Sequence, residues 1–289
     1  MNFSPLDFVR RRSRKYLRKG FGDGLFKREI IQRLLGYRLD GEGRVTEKFE
    51  GMNVSYRFDS LPGRCVFLGG EYEEDAARFC LDCIRGIANP VVIDAGANAG
   101  FHTLRWLKWR GDLRMLAVEA NPETAALLRE NVKNNGFGPR CEVSDLALGD
   151  REGDVEFILS SDDAFSSLIS NQRVPEKRRV KVPMKTLDLL VQEARLDKLD
   201  LIKIDVEGAE LMVLSGAQAA ISQFRPHIFM EIHSRNNPAV APEETIRRMI
   251  ALGYEARIVI DGESHPWRAH DDRHANYYFR PSPSPDHPA

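Results

Sequence analysis

Five short stretches set carboxylates and other reactive side chains at equivalent points of one repeating pattern. They are Asp94-Ala-Gly-Ala-Asn-Ala-Gly100, Glu119-Ala-Asn121, Asp145 with Ala147, Lys203-Ile-Asp-Val-Glu-Gly-Ala-Glu210 and Glu231-Ile-His233. Each closes a short apolar run of strand length. A carboxylate in such a place loses its hydration and needs a partner or a ligand to compensate.

The first stretch is a glycine turn. Gly96 and Gly100 let backbone approach a ligand closely, and a helix opening near Gly100 presents free N–H groups. Asn98 stands where a dinucleotide fingerprint would place a second glycine, so the turn alone is weak evidence. Glu119, 25 positions after Asp94, sharpens it. A carboxylate at the end of the next strand accepts both hydroxyls of a ribose, in charge-assisted bonds worth about 1.5–3 kcal/mol each. Both NAD and S-adenosylmethionine carry that ribose. Asp94 beside the turn would repel a pyrophosphate, whereas acidic groups suit a sulfonium and an ammonium, so the pattern favours S-adenosylmethionine.

Methyl transfer to an alcohol requires alignment of acceptor, methyl and sulfur, and a group that removes the hydroxyl proton. Strand alternation sets Lys203 and Asp205 on one face, and Glu231 and His233 on one face of the neighbouring strand. His233, with an ordinary pKa near neutrality, is the first candidate base and Asp205 the second. Lys203 and Glu231 are candidates either for the reaction or for a buried ion pair that positions the strand tips. Asp205, Glu231 and His233 have no metal-ligand spacing signature, so no metal site is assigned.

The elements that must carry these residues follow from periodicity. From Pro90 onward, strands over Val91–Ala95, Met115–Ala120, Glu142–Leu148, Leu201–Asp205 and His227–His233 alternate with helices. The helices are expected from about Gly100 to Arg110, Pro122 to Asn135, Thr186 to Ala194, Gly208 to Gln223 and Pro242 to Leu252. A hairpin is expected over Asp154–Leu159 and Arg179–Val182, and last strands over Tyr254–Ile260 and Asn276–Phe279. Such alternation implies a parallel sheet covered on both faces, with ligands beyond the carboxyl ends of its strands. Before it, a helix is expected over Glu71–Ile87. A small β-meander is expected over Val45–Phe49, Asn53–Phe58 and Cys65–Leu68.

The turn Asp94 to Thr103, Val118-Glu-Ala-Asn-Pro122, Leu128-Arg-Glu-Asn131, Thr186-Leu-Asp188, Lys203 to Glu210 and Phe229-Met-Glu-Ile-His233 together resemble the FkbM-type methyltransferase family, over about residues 70–235. The resemblance implies an α/β, Rossmann-like class I fold: a seven-stranded, mostly parallel sheet whose last strand is antiparallel. It also implies an S-adenosylmethionine-dependent enzyme, usually an O-methyltransferase of sugars, polyketides or other secondary metabolites. By that resemblance Gly96, Asn98 and Gly100 cradle the methionine end of the cofactor and Glu119 holds the ribose. Asn121 flanks it, Asp145 reaches the adenine amino group, and Asp205 lies beside the transferring methyl. Phe165-Ser-Ser-Leu168 looks like a family element bordering the substrate mouth. The acceptor is then a small molecule or glycan. Two other readings stay open: an NAD-linked sugar-modifying oxidoreductase, and a non-catalytic membrane- or partner-binding module on the same fold.

Composition sets the limits. The chain has 289 residues, 42 basic and 43 acidic side chains, and 42% hydrophobic residues, as an ordinary globular protein does. No stretch approaches the ~18 consecutive apolar residues of a membrane span. No apolar segment of signal-peptide type follows the N-terminal basic residues. Cys65, Cys80, Cys83 and Cys141 are too few and too scattered for a disulfide scaffold, so a reducing, cytoplasmic location is expected. Cys80 and Cys83 fall within an apolar helical pattern and read as a buried face.

Residues 1–38 hold 11 Lys/Arg against 3 Asp/Glu. That charge draws anionic partners, which makes peripheral attachment to an inner membrane surface a candidate and leaves nucleic acid unlikely. Residues 1–88 read as a basic extension that covers the substrate side or mediates self-association into a homo-oligomer. Residues 89–280 form the catalytic domain, and the proline-rich 281–289 a disordered tail. The polar run His265-Pro-Trp267 to His274 reads as a solvated loop before the last strand.

Overall fold

The computed structural model describes residues 43–58, 60–69, 72–170 and 175–282. The chain divides into two compact units, residues 1–72 and 73–289. The basic segment 1–38 and residues 283–289 lie outside the described residues, as do the expectations attached to them. Among the described residues no helix is long and apolar enough to cross a membrane.

In the first unit, β1 (Arg44–Phe49) and β2 (Met52–Arg57) pair antiparallel. Their turn, Glu50-Gly51, has both φ angles positive (49° and 82°), as a two-residue hairpin requires. The third strand of the expected meander is instead a helix, α1 (Leu61–Gly69). The Ser60 hydroxyl accepts the Gly63 N–H at 3.1 Å, and Pro62 lies in the first turn. This local start signal outweighs the short apolar alternation of Cys65–Leu68.

The second unit opens with α2 (Glu74–Cys83) and then alternates. In order come β3 (Val91–Ala95), α3 (Phe101–Trp109), β4 (Arg114–Val118), α4 (Pro122–Asn134), β5 (Cys141–Ser144) and β6 (Ala147–Leu148). They are followed by β7 (Gly153–Ser160), β8 (Glu176–Lys185), α5 (Leu187–Glu193), β9 (Leu201–Ile204), α6 (Glu210–Ser215), α7 (Gln218–Phe224) and β10 (His227–Glu231). The last elements are α8 (Pro242–Ala251), β11 (Tyr254–Ile260), β12 (Glu263–Pro266) and β13 (Asn276–Pro281).

The main sheet runs β12-β11-β13-β10-β9-β3-β4-β5. Strands β5, β4, β3, β9 and β10 are parallel, and β13 lies antiparallel between β10 and β11. This is the Rossmann-like class I arrangement with its reversed last strand, extended by one strand. The eighth is β12, which forms a hairpin with β11 and takes His265 and Pro266 out of the expected solvated loop. Its turn is Asp261-Gly262, with φ of 50° and 77°. That dipeptide is itself a hairpin signal that the sequence reading passed over.

Three further boundaries differ from expectation. The third strand breaks after Ser144, and Ala147–Leu148 joins β8 and β7 in a separate three-stranded sheet. The helix expected over 208–223 is two, because Gly216 passes so close to Gly149 O that a Cβ would sit 2.1 Å from it. The Asp188 carboxylate then caps α7, accepting N–H groups of Ala219 (3.0 Å) and Ala220 (2.7 Å). At the C-terminus β13 continues to Pro281 and Ser282 N donates to Gly253 O, so the first residues of the expected tail belong to the sheet.

The two faces of the parallel strands are unlike. One carries Val91, Ile93, Ala95, Leu116, Val118, Ile202, Ile204, Ile228 and Met230 against α5–α8. Each fully buried aliphatic side chain there contributes about 1.5–3 kcal/mol. The opposite face carries Asp94, Lys203 and Glu231 among its apolar residues and is covered by α2 and α3. The Trp106 indole on α3 donates to Ala77 O of α2 at 2.9 Å. Phe79 lies 6.1 Å from Phe229 between ring centroids. Ionised groups inside a sheet face are costly unless paired, so this face is where function is to be sought.

A candidate active site at the carboxyl edge of the sheet

The parallel registers align Ala95 with Val118 and Ile204, Val118 with Ser144, and Ile204 with Met230. The next residue of each strand or turn is therefore level with its neighbours: Gly96, Glu119, Asp145, Asp205 and Glu231. The backbone continues this edge, since Asp205 N donates to Ala95 O (2.9 Å) and Glu119 N to Ser144 O (3.0 Å). The stretches singled out in the sequence thus meet along one rim.

The turn after β3 is built by close approach. Gly96 has φ +82°, and a Cβ there would lie 1.7 Å from Asp205 O. Gly100, φ +94°, faces the side chain of Leu128 on α4, whose Cδ1 would lie 2.6 Å from a Cβ there. Asn98 is left-handed at φ 51°, a conformation that asparagine tolerates better than most residues. Its side chain accepts the Ala99 N–H at 2.7 Å. Glu119 reaches across from β4 and binds two backbone donors, Asn98 N to Oε2 and Asn121 N to Oε1, both at 2.8 Å. Burial pushes the Glu119 carboxyl up to about 7 against these stabilising N–H groups. Asn121 caps α4 by accepting Glu123 N at 3.1 Å.

Behind the turn lies a buried ionic cluster. Lys203 Nζ is 3.0 Å from Asp205 Oδ2 and 3.7 Å from Asp94 Oδ1. Burial alone would depress the ammonium pKa, but Asp205 and Asp94 reverse this and hold it above its ordinary value. Asp94 Oδ2 accepts the Thr103 hydroxyl at 2.6 Å. Its Oδ1 has no hydrogen-bond partner among the described residues. Asp94 has no exposed surface, so it could influence a ligand only through its charge and the turn it anchors. The partners of Lys203 are the two aspartates rather than Glu231. Burial holds the Glu231 carboxyl well above its ordinary value, with Asp205, Glu73 and Glu207 adding to the effect.

His233 stands two residues beyond β10, its Nδ1 3.2 Å from Asp272 Oδ1. Asp272 also accepts the Ser234 N–H (2.9 Å), the Ser234 hydroxyl and His270 Nε2 (2.7 Å). His270 Nδ1 in turn meets the Tyr277 hydroxyl at 2.6 Å. Partial burial raises the Asp272 carboxyl. The Ser234 and His270 hydrogen bonds and the His233 charge outweigh this and hold it below the usual carboxylate range. The sequence reading placed Asp272 and His270 in a solvated loop. Only three-dimensional pairing with β10 reveals them as partners of His233.

Other expected features take definite places. Asp145 lies on the rim but is exposed and pairs with Arg129 at 3.2 Å. Ser167, of Phe165-Ser-Ser-Leu168, donates to Glu207 O at 2.7 Å and so ties that loop to the turn after β9. Gly208, φ +105°, lies against Asn236 O, and Asn237 Nδ2 donates to Gly208 O, which joins the turns after β9 and β10. Glu210 opens α6 and accepts Gly208 N. Cys80 is buried on α2, as its helical pattern implies, whereas Cys83 is only half-buried, and none of the four cysteines forms a disulfide.

The described residues suit S-adenosylmethionine. Glu119 is preset by two backbone donors at the end of β4, where a ribose would lie. The buried, incompletely bonded Asp94 makes the surroundings of the turn acidic, as does Asp205, and this favours a cationic ligand over a pyrophosphate. The turn with Gly96 and Asn98 faces the same edge, and Asn121 and Asp145 continue it. When bound, the cofactor supplies an electrophilic methyl group.

A reversed strand beside a parallel core, with a buried carboxylate after the second core strand, is the arrangement of the class I methyltransferase fold. Comparison with known proteins agrees. Residues 94–256 match the model of the Methyltransferase FkbM domain, and the chain belongs to that family. Membership implies S-adenosylmethionine as the methyl donor, and the nicotinamide-linked alternative is not favoured. It is 30% identical over 153 residues to the 2-O-methyltransferase NoeI of Sinorhizobium fredii, covering 47% of this chain and 61% of that protein. It is 26% identical over 178 residues to the methyltransferase sdnD of Sordaria araneosa, covering 50% and 67%. The matched region thus spans about three-fifths to two-thirds of these relatives. An FkbM methyltransferase structure from Methylobacillus flagellatus aligns at 16% identity with a TM-score of 0.45, over 75% of this chain and 52% of that one.

Proposed function

We propose that this methyltransferase acts on oxygen, methylating a hydroxyl of a saccharide or secondary-metabolite acceptor, with His233 as general base. The observation that carries this reading is the pairing of His233 with the Asp272 carboxylate at the end of β10. An alcohol must surrender its proton as the new bond to carbon forms, and an imidazole backed by an anion accepts it near neutral pH. The name of the relative NoeI, a 2-O-methyltransferase, supports oxygen as the acceptor atom.

In this reading the protein's own groups divide the work. Glu119, with Gly96, Asn98, Gly100 and Asn121, holds and orients the cofactor, and Asp145 lies near its adenine end. Asp205, fixed by Lys203, keeps a negative charge at the centre of the rim beside the methyl position. Asp94 anchors the turn and neutralises Lys203. The part-buried Glu231 carboxyl is held above its ordinary value beside Asp205. The acceptor hydroxyl donates its proton to His233 Nε2 as its oxygen takes the methyl group, and Asp272 stabilises the resulting imidazolium. Asp205 is the alternative base.

The test uses the full chain with a methyl-labelled donor and a panel of hydroxylated saccharides and secondary metabolites, beside matched amines. Label on a hydroxyl, lost at least a hundredfold in His233→Gln but not in cofactor affinity, supports the reading. Label on amines alone, or undiminished transfer by His233→Gln, contradicts it.

A further inference from the structure

The loop before β13 contributes a group to this site that neither the family motifs nor strand-end reasoning identifies. Asp272 lies between two imidazoles, with Oδ1 2.7 Å from His270 Nε2 and 3.2 Å from His233 Nδ1. Both residues are part-buried: the His270 side chain is 9% exposed and that of His233 14%. Ser234 fixes the carboxylate through its backbone N–H and its hydroxyl. Tyr277, on β13, fixes His270 through Nδ1. Its ring lies 5.9 Å from that of His270, nearly parallel at 20°. Pairing of β13 with β10, Glu231 opposite Asn276, brings this loop beside the end of β10.

Proton placement along the chain follows from its acceptors. Asp272, kept anionic by its donors, accepts, so His270 carries a proton on Nε2 and its Nδ1 accepts the Tyr277 hydroxyl. His233 has two neighbours competing for Nδ1. Asp272 Oδ1, which also accepts the Ser234 N–H and His270 Nε2, faces Nδ1 at 3.2 Å and favours a proton there, whereas the Arg235 N–H, at 3.4 Å, would donate to a bare nitrogen. The carboxylate is nearer and charged, and two bare acceptors 3.2 Å apart would repel. The Nδ1–H tautomer therefore wins, and Nε2 is the nitrogen that can take a proton.

We propose that Asp272 is a positioning residue for methyl transfer: buttressed by Ser234, His270 and Tyr277, it holds His233 in the Nδ1–H tautomer and orients the ring. The proposal rests on the reading of His233 as base and deepens it. Asp272 touches neither cofactor nor acceptor in this scheme. It acts through His233, as an orienting carboxylate does wherever a base must present one particular nitrogen.

The experiment is long-range 1H–15N correlation spectroscopy of the full chain labelled in its histidine rings, at a pH where His233 is neutral. The His233 signals are assigned by their loss in His233→Gln. The expected result is the Nδ1–H pattern in the wild type, its loss in favour of Nε2–H in Asp272→Asn, and its recovery in Asp272→Glu. An Nε2–H pattern in the wild type overturns the proposal without any variant, so a failure of Asp272→Asn to fold leaves the test decisive. An Nδ1–H pattern undiminished in folded Asp272→Asn also overturns it. Methyl transfer retained by His233→Gln would instead defeat the base reading, a separate result from the tautomer.

Discussion

The carbonyl oxygen of Asp205 occupies the space that a side chain at position 96 would need: a Cβ on Gly96 would lie 1.7 Å from it. The glycine turn that faces the cofactor is thus pressed against the turn that carries the central carboxylate, and either one fixes the other.

Replacing Gly96 should therefore cost more than its conformation alone. Gly96→Ala combines a positive φ with a backbone clash and should lose at least about 3 kcal/mol. Gly136 also has a positive φ, of 73°, but nothing lies within 4 Å of its Cβ position. Gly136→Ala should lose only about 1–2 kcal/mol. Urea unfolding of the two variants measures the difference, and equal losses would show that the contact with Asp205 is unimportant.

The ion cluster predicts a different pattern. Lys203→Met leaves Asp94 and Asp205 without their buried counter-charge and should destabilise by about 3–5 kcal/mol. Adding Asp94→Asn removes one stranded charge and should restore part of that loss. A double-mutant cycle in urea reads the coupling, and strictly additive losses would refute the pairing.

Glu119 makes the cofactor-free protein sensitive to pH. Its folded pKa, about 7, lies above the ordinary 4.5. Its stabilising contribution is therefore complete below pH 4.5 and is lost as pH rises through 7. Glu210, also raised to about 7 by burial, and Glu231 act in the same direction. The melting temperature without ligand should fall from pH 5 to 8, and less steeply in Glu119→Gln. Ribose hydroxyls donate to the ionised carboxylate, so binding should expel a proton. Affinity for S-adenosylhomocysteine should then rise roughly tenfold or more from pH 5.5 to 8. Calorimetry in buffers of different ionisation enthalpy counts the proton.

Asp188 lies in the first turn of α5, yet its two oxygens cap α7. Asp188→Ala should cost about 1–2 kcal/mol, and hydrogen exchange at Ala219 and Ala220 should accelerate. Unchanged exchange at those amides would show that the cap contributes nothing.

These residues mark what was readable in advance. The strand-end carboxylates were legible because each interrupts an apolar run, and period-two alternation correctly put Lys203 and Asp205 on one face. The second ion-pair partner of Lys203 was not legible. Asp94 is remote in sequence and becomes its neighbour only through the β3–β9 register. Asp272 escaped for the same reason, since its polar loop has no periodicity and gains meaning only beside β10. The break at Gly216 and the parting of β5 from β6 depend on packing against Gly149 and β8, which no local pattern reports.

The most direct test of the cofactor site is calorimetric titration of the purified chain with S-adenosylhomocysteine and separately with NAD, repeated on Glu119→Ala. The account predicts saturable binding of the adenosyl ligand alone, weakened at least tenfold in the variant. Binding of NAD alone, no binding by the folded chain, or undiminished affinity in Glu119→Ala would contradict it.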